Sequence, residues 1–549
     1  MSQFISTISQ YWDVNNFIDQ QAWSRFYETY LLKYTDSKAK RLTIGVSVSL
    51  LLLGYGIKRL LTPPKHLRHI KHASFLRFTY NFVIKGVTPK EMHTTVSKKI
   101  VEENNGFYLQ LERTGWVVYV ANPEAVKQVL LKSDIFPKMD FSKLASEEGS
   151  YFEKFIGFKN ILMTTGSEWL KHRKLTNPAF HRSLPAKLFG ETAQGLFKIW
   201  DNEYNDKPFE VNIHNMNERI TLDIIGKAGF AFDFNAVADE KSPWKKTYDI
   251  INTAASDPLF FMFPILENKL LWLFPKRQES FKKLDEWKAM LTSVIENKRR
   301  LLKDNIDQGV EEAEKDLLTL MIESEFRGEG VLTKEELIGN LTVFFLAGHD
   351  TTSFALTSAI YYMARYPEIQ EKARQEVNSI LCPNGEPNEG ILPTIEDTKK
   401  LVYLNQIMKE SMRIGNPVLF LLSPRQATKD FNLNGTFIPK GTQVNINIHD
   451  LHHSSNVWDD PDTFNPDRFA PGGEADKKTG IAWVPFSNGS RQCLGMNFSL
   501  LEQRVILSCL LRKYEWTLPE NSIHKNDMIS KFDLIPSPID MKIRFERRY

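Results

Sequence analysis

The chain has 549 residues, 42% hydrophobic and 25% charged, enough for a large buried core and unlike a disordered composition. Its net charge of +3, from 70 basic and 67 acidic residues, gives no electrostatic reason to expect a nucleic-acid partner. The three cysteines, Cys382, Cys493 and Cys509, are widely spaced; they imply neither a disulfide framework nor a Cys-x-x-Cys metal site, and they fit a reducing compartment.

Residues 1–41 form a polar and aromatic extension, too long and too polar for an ordinary signal peptide. The run LTIGVSVSLLLLGYGI follows, uncharged between Arg41 and Lys58. As a helix it rises about 24 Å, against a hydrocarbon core of about 30 Å. Leu60 and Leu61 extend it if Lys58 and Arg59 snorkel. A single membrane anchor over 42–61 is the favoured reading, because Pro63 and Pro64 then break the helix where a globular body begins. A buried core helix or an interfacial helix is the alternative. Lys65, Arg68, Lys71 and Arg77 tilt the flanking charge toward a cytoplasmic body.

No repeat or long Gly/Ser linker divides residues 65–549, which read as one domain. Strands are predicted in 108–122 and 431–447, where β-like runs carry turn chemistry. Helical periodicity marks 242–255, 277–302 and 394–414. The segment 257–275, with Phe260, Phe261, Phe263, Leu271, Trp272 and Phe274, is apolar where a connector is expected. It suggests a patch dipping into a bilayer, with core packing as the competing reading. The charged stretches 303–316 and 382–390 read as surface loops. A mainly α body with small peripheral β-sheets results.

Thr333 and Glu336 form a capping box ahead of a long helix that is apolar nearly all round. Gly348-His349-Asp350-Thr351-Thr352 interrupts it. A glycine, an acid and two hydroxyls in a buried helix oppose both propensity and burial, as a functional site does. A kink with satisfied polar groups is the bland alternative. Near the C-terminus, PFSNGSRQCLG (485–495) fits F-x-x-G-x-R-x-C-x-G through Phe486, Gly489, Arg491, Cys493 and Gly495. Glycines let backbone amides turn toward one sulfur, and the helix predicted just beyond it, from 498 to 516, favours an anion at its N-terminus. Cys382 and Cys509 read as structural cysteines.

The 485–495 segment resembles the haem-binding loop of the cytochrome P-450 family. Four further segments match that family in order: Trp169 to Arg173, Ala347 to Thr352, Glu410 to Arg413, and Phe464 to Phe469. The resemblance implies a cytochrome P-450 fold around the long central helix. It also implies haem b with Cys493 as axial ligand, the cofactor held by Trp169, Arg173, Arg425, Phe486, Arg491 and Gly495. Arginines facing two carboxylates offset the desolvation of a buried dianion. Glu410, Arg413 and Arg468 would form a structural network, and Asp350 with Thr351 would handle protons. Pocket walls would come from Val343, Phe344, Ala347, Val418, Leu419 and Phe420.

The function implied is a haem-thiolate monooxygenase that inserts one atom of dioxygen into a small lipophilic substrate: a steroid, a fatty acid or a xenobiotic. The chain has no G-x-G-x-x-G signature, so electrons would come from an NADPH-dependent flavoprotein reductase. Lys171, Arg173, Lys174, Arg512 and Lys513 are the expected docking cations, a solvated surface being the alternative. The implied location is the endoplasmic reticulum membrane, spanned once. A peroxide-rearranging isomerase is disfavoured by the Asp350–Thr351 pair, and a haem carrier or sensor would need no proton relay.

Overall fold

The structure, a computed structural model, describes residues 38–549 apart from 141–148, 183, 305–314, 329, 384, 386–389, 533–534 and 549. Most of the extension 1–41 and of the two charged loops therefore lies outside the described residues.

The Thr333 cap forms as its spacing predicts. Its hydroxyl accepts from Glu336 N at 3.2 Å, and Glu336 Oε2 accepts from Thr333 N at 2.7 Å. The central helix then runs Lys334–Arg365 and is buried along most of its length. It stops before Pro367, as the residue preceding a proline is pushed out of the helical region. Its most extensive partner is the helix Ile213–Phe230. Gly348 permits the close approach, because a β-carbon there would stand 2.9 Å from Ile225 Cδ1. Helices Gly166–Arg182, Ala186–Tyr204, Pro243–Ala255, Pro275–Lys303, Val402–Ile414 and Met496–Lys513 complete the helical core around it.

A second apolar cluster surrounds a four-stranded sheet. Its order is Phe107–Glu112, Gly115–Val120, Gln443–Ile446 and Arg425–Gln426. The first two strands form a hairpin, Val117 pairs in parallel with Gln443, and Arg425 lies antiparallel to Val444. Both predicted β segments are strands. The expected helix 394–414 divides at Leu401 into Ile395–Lys400 and Val402–Ile414. The helix after Cys493 ends at Lys513, short of the expected 516. Tyr514–Thr517 instead pairs with Lys542–Arg547, burying Tyr514 and Trp516 on alternate positions.

At the other end, the helix Lys38–Leu60 contains most of the expected 42–61 segment. Val46, Leu50 to Leu53, Tyr55 and Ile57 are exposed on it, so it buries no apolar face against the body there. No helix among the described residues is long and apolar enough to cross a membrane.

The connector 257–275 folds into the short helices Pro258–Met262 and Ile265–Asn268 and a turn at Leu271–Leu273. Phe260 is buried, whereas Leu259, Phe263, Trp272 and Leu273 are exposed, Trp272 at 71%. Phe261 and Met262 pack on the cluster of Phe82, Val87 and Met92. The neighbouring segment 75–85 exposes Leu76, Tyr80 and Ile84.

Candidate functional site

The loop before Met496–Lys513 is shaped by two left-handed residues, Ser487 (φ 57°) and Gly489 (φ 70°). A side chain at Gly489 would collide with Leu130 O, 2.7 Å from an ideal β-carbon, so only glycine fits. Cys493 N donates to Phe486 O at 2.9 Å and Gln492 N to Gly489 O at 3.1 Å. Gly495 is the N-cap of the following helix, and its amide donates to the Cys493 sulfur. Burial pushes the Cys493 thiol up; the Gly495 amide and the Arg173 charge oppose it. Phe486 is half-buried in the turn.

Four cations gather beside this loop. Arg491 lies over the Trp169 ring, 4.0 Å from its centroid, and donates to Thr164 O at 2.9 Å. Arg173 donates to Gln492 O at 3.0 Å. Arg425 is buried on its strand, and its Nε has no hydrogen-bond partner. Lys138 pairs with Arg425 through a backbone bridge and donates to Leu162 O. Burial lowers all four. It takes Arg425 to about 10 and, with the charges of Arg425 and Arg173 added, Arg491 to about 9. Lys138 is pushed well down by burial and then by Arg491 and Arg425. Among the described residues no carboxylate pairs with any of them. Such a cluster is stable only with an anion in its midst.

Across from the loop, Ala347 is exposed and Thr351 half-exposed on a helix whose neighbouring residues are buried. Cys493 is likewise open although protein encloses it. The two elements are tied directly, Thr352 Oγ1 standing 3.0 Å from Ser499 Oγ in the first turn after Gly495. The Thr351 hydroxyl donates to Ala347 O at 2.5 Å. Asp350 is buried on the opposite side, where it accepts from the Tyr248 hydroxyl at 2.7 Å. A cleft with a thiol on one wall, a hydroxyl on the other and an unneutralised cation cluster at its edge fits an iron porphyrin with two carboxylates.

Behind the loop, Glu410 receives a bidentate pair from Arg413 at 2.7 and 2.9 Å, both side chains wholly buried. Arg468 Nε reaches Glu410 Oε1 at 3.3 Å and also pairs with Glu474. Arg413 extends to His452 O at 2.7 Å, tying the helix to the segment before the loop.

Of the expected pocket residues, Val343 and Phe344 are buried, Phe344 edge-on to Phe180 at 4.9 Å. Ala347 is open, and Val418 and Phe420 are half-buried. Leu419 is buried and lines a cavity of about 60 Å³ beside His449, His453 and Asn416.

The expected docking cations do not form one surface. Arg512 and Lys513 are buried, Lys513 against Asp201 at 2.6 Å. Arg173 turns into the site, and Lys171 pairs with Glu336 at 2.8 Å. The sequence pattern gave no sign that tertiary packing covers Arg512 and Lys513, whereas Lys174 is exposed. Sequence reasoning also missed Lys138 and Tyr248. Neither has a local signature, since their partners lie 287 and 102 positions away.

Residues 78–543 match the family model "Cytochrome P450". The chain is 28% identical over 465 residues to "Cytochrome P450 4c21" of Blattella germanica, covering 82% of this chain and 87% of that one. It is 29% identical over 451 residues to "11-oxo-beta-amyrin 30-oxidase" of Medicago truncatula, covering 79% and 78%. It is 30% identical over 371 residues to "Leukotriene-B4 omega-hydroxylase 3" of Mus musculus, covering 66% and 69%. The crystal structure of the cytochrome P450DA heme domain shares the fold, with a TM-score of 0.67 at 21% identity over 83% of this chain and 95% of that one. The chain therefore belongs to the cytochrome P450 family: a haem-b-dependent, oxygen-incorporating oxidoreductase supplied with NADPH electrons through a reductase.

Proposed function

We propose that this protein hydroxylates a lipophilic substrate in the cleft between Cys493 and Ala347. The carrying observation is the pairing of a thiol at a helix N-terminus with an unneutralised group of four cations. Cys493 would supply the thiolate that holds the haem iron. Trp169, Arg173, Arg425, Phe486, Arg491 and Gly495, joined by Lys138, would hold the porphyrin and its carboxylates. When bound, the haem supplies dioxygen activation and transfer of one oxygen atom to carbon. The residues around it hold, exclude and deliver. Val343, Phe344, Ala347, Val418, Leu419 and Phe420 keep the cleft apolar. Asp350 and Thr351 supply protons, Thr351 from the cleft wall and Asp350 from behind it.

The relatives named for leukotriene and β-amyrin oxidation support a lipid or terpenoid skeleton among the candidate fatty acids, steroids and xenobiotics. The domain reading is an extension over 1–41, an anchor over 42–61 and a catalytic body over 65–549. The exposed apolar helix Lys38–Leu60 supports membrane attachment, as does the outward patch of Leu76, Tyr80, Ile84, Phe263, Trp272 and Leu273. The endoplasmic reticulum, with the body in the cytoplasm beside a flavoprotein reductase, is the matching location. Purified protein with reductase, screened against fatty acids, steroids and terpenoids, should show a haem spin shift and NADPH-dependent hydroxylated product for one class. Product from an added lipid hydroperoxide without reductase would favour the isomerase reading instead.

A further inference from the structure

Behind the cleft three helices bring together seven titratable groups, of which the site as described uses only Asp350 and its partner Tyr248. Ile213–Phe230 contributes His214 and Glu218. Pro243–Ala255 contributes Lys245, Tyr248 and Asp249. The central helix contributes His349 and Asp350. Short contacts join Asp249 to Lys245 at 2.7 Å, Lys245 to Glu218 at 3.3 Å and Glu218 to His214 at 3.4 Å; His214 Nδ1 then faces Thr357 Oγ1 of the central helix at 3.4 Å, beyond the His349–Asp350 pair, whose own contact is 2.5 Å. Side-chain exposure falls from Asp249 and Glu218 inward to His349, with Lys245 buried at 5% between the two carboxylates. Asp249 is 49% exposed, Glu218 22%, His214 12%, Asp350 6% and His349 1%. His349 Nδ1 stands against Asp350 Oδ1, and His349 Nε2 has no hydrogen-bond partner. An imidazole in contact with a carboxylate and with its other nitrogen unpartnered, at the dry end of a group that reaches water, is suited to passing protons.

We propose that protons for oxygen activation enter between Ile213–Phe230 and Pro243–Ala255, passing from Glu218 through His214 and His349 to Asp350. This rests on the reading of Asp350 as the proton donor to the cleft. Each turnover combines substrate C–H, dioxygen, two electrons and two protons to give C–OH and water, so the route must carry both protons. Glu218 gives its proton to His214 Nε2, and His214 releases one from Nδ1, beside the Thr357 hydroxyl, to water that carries it to His349. His349 then passes a proton to Asp350 and returns to its neutral form. Lys245 and Asp249 hold Glu218 in place at the solvent end. Tyr248 donates to Asp350 Oδ2 and fixes the carboxylate, a positioning role. Burial lowers the His214 pKa, with Glu218 and Asp350 raising it and His349 and Lys245 lowering it. The ring is thus mainly neutral at rest and can take up a proton.

The test uses full-length haem-loaded protein with its reductase, carrying Glu218→Gln, His214→Gln, His349→Phe or Asp350→Asn. Hydrogen peroxide already holds the two electrons and two protons, so it bypasses delivery. The proposal expects each of the first three variants to lose NADPH-driven product at least about tenfold, with a larger solvent isotope effect, while peroxide-driven product stays near that of the unmodified protein. Independently of turnover, the NMR titration midpoint of His214 should move to lower pH in Glu218→Gln, because a charge that raised it is gone. If Asp350→Asn loses NADPH-driven product but Glu218→Gln and His214→Gln do not, the route is overturned and the role of Asp350 stands. If Asp350→Asn keeps full NADPH coupling, the donor reading fails and the route with it.

Discussion

Arg491 and Trp169 come from segments 322 positions apart, yet the guanidinium of one lies over the ring of the other, 4.0 Å from its centroid. The contact fixes the arginine while Cys493, two residues on, sets the sulfur. A cation stacked in this way is weakly hydrated and keeps donors free for an anion. Arg491→Lys keeps the charge and loses the stacking and the fork. It should speed haem loss by about 10- to 100-fold, the equivalent of about 1.5–3 kcal/mol for a charged hydrogen bond. Lys138→Met should act in the same direction. Haem transfer to a scavenger protein reads both.

The Glu410–Arg413–Arg468 group is buried and shares one carboxylate. Glu410→Gln leaves the buried Arg413 without its carboxylate, while Arg468 keeps Glu474, and the loss costs about 3–5 kcal/mol. Urea unfolding should show a correspondingly lower midpoint, with little haem protein recovered. Unchanged stability would mean that the network is dispensable.

Thr351 and Thr352 part company in the structure. Thr351 opens to the cleft, whereas Thr352 bonds Ser499. Thr351→Ala should retain haem and substrate binding while diverting NADPH electrons into hydrogen peroxide. Thr352→Ala should keep coupling and lose about 1 kcal/mol of stability. Peroxide yield per NADPH, measured beside thermal unfolding, separates the two.

His449, His452 and His453 are buried, and burial holds all three well below their usual pKa of 6.5. The unfolded chain binds these protons more readily, so stability is fully present above about pH 6.5 and falls as the pH drops below it. Each histidine contributes up to about 1.4 kcal/mol per pH unit. Denaturant midpoints should therefore be flat above neutrality and decline steeply in mild acid. His453→Gln should shallow that decline.

Removing residues 1–62 should leave a haem-loading body that still sediments in part with vesicles. Trp272→Glu with Leu273→Glu should release it, since both are exposed on the outward patch. Phe261 is a poorer choice, because it packs on Phe152 and under Arg113. Unaltered vesicle binding by the double variant would remove the patch from the membrane contact.

The cysteine loop, the Glu410–Arg413 pair and the Thr333 cap were legible because each is set by residues a turn or a tight loop apart. The central helix was legible because it is apolar all round. What escaped the sequence depends on contacts between distant segments. Lys138 becomes part of the site only when its strand edge meets Arg425, and Asp350 gains its partner only when Tyr248 packs across the helix interface. Lys513 looked like a surface cation until the strand following it turned the helix end inward.

The central claim is that the Cys493 sulfur ligates the haem iron. The reduced carbon-monoxide difference spectrum tests it most directly. The unmodified protein, Cys382→Ser and Cys509→Ser should all give the red-shifted Soret band of a haem-thiolate protein, and Cys493→His should bind haem without it. A red-shifted band that persists in Cys493→His would contradict the account.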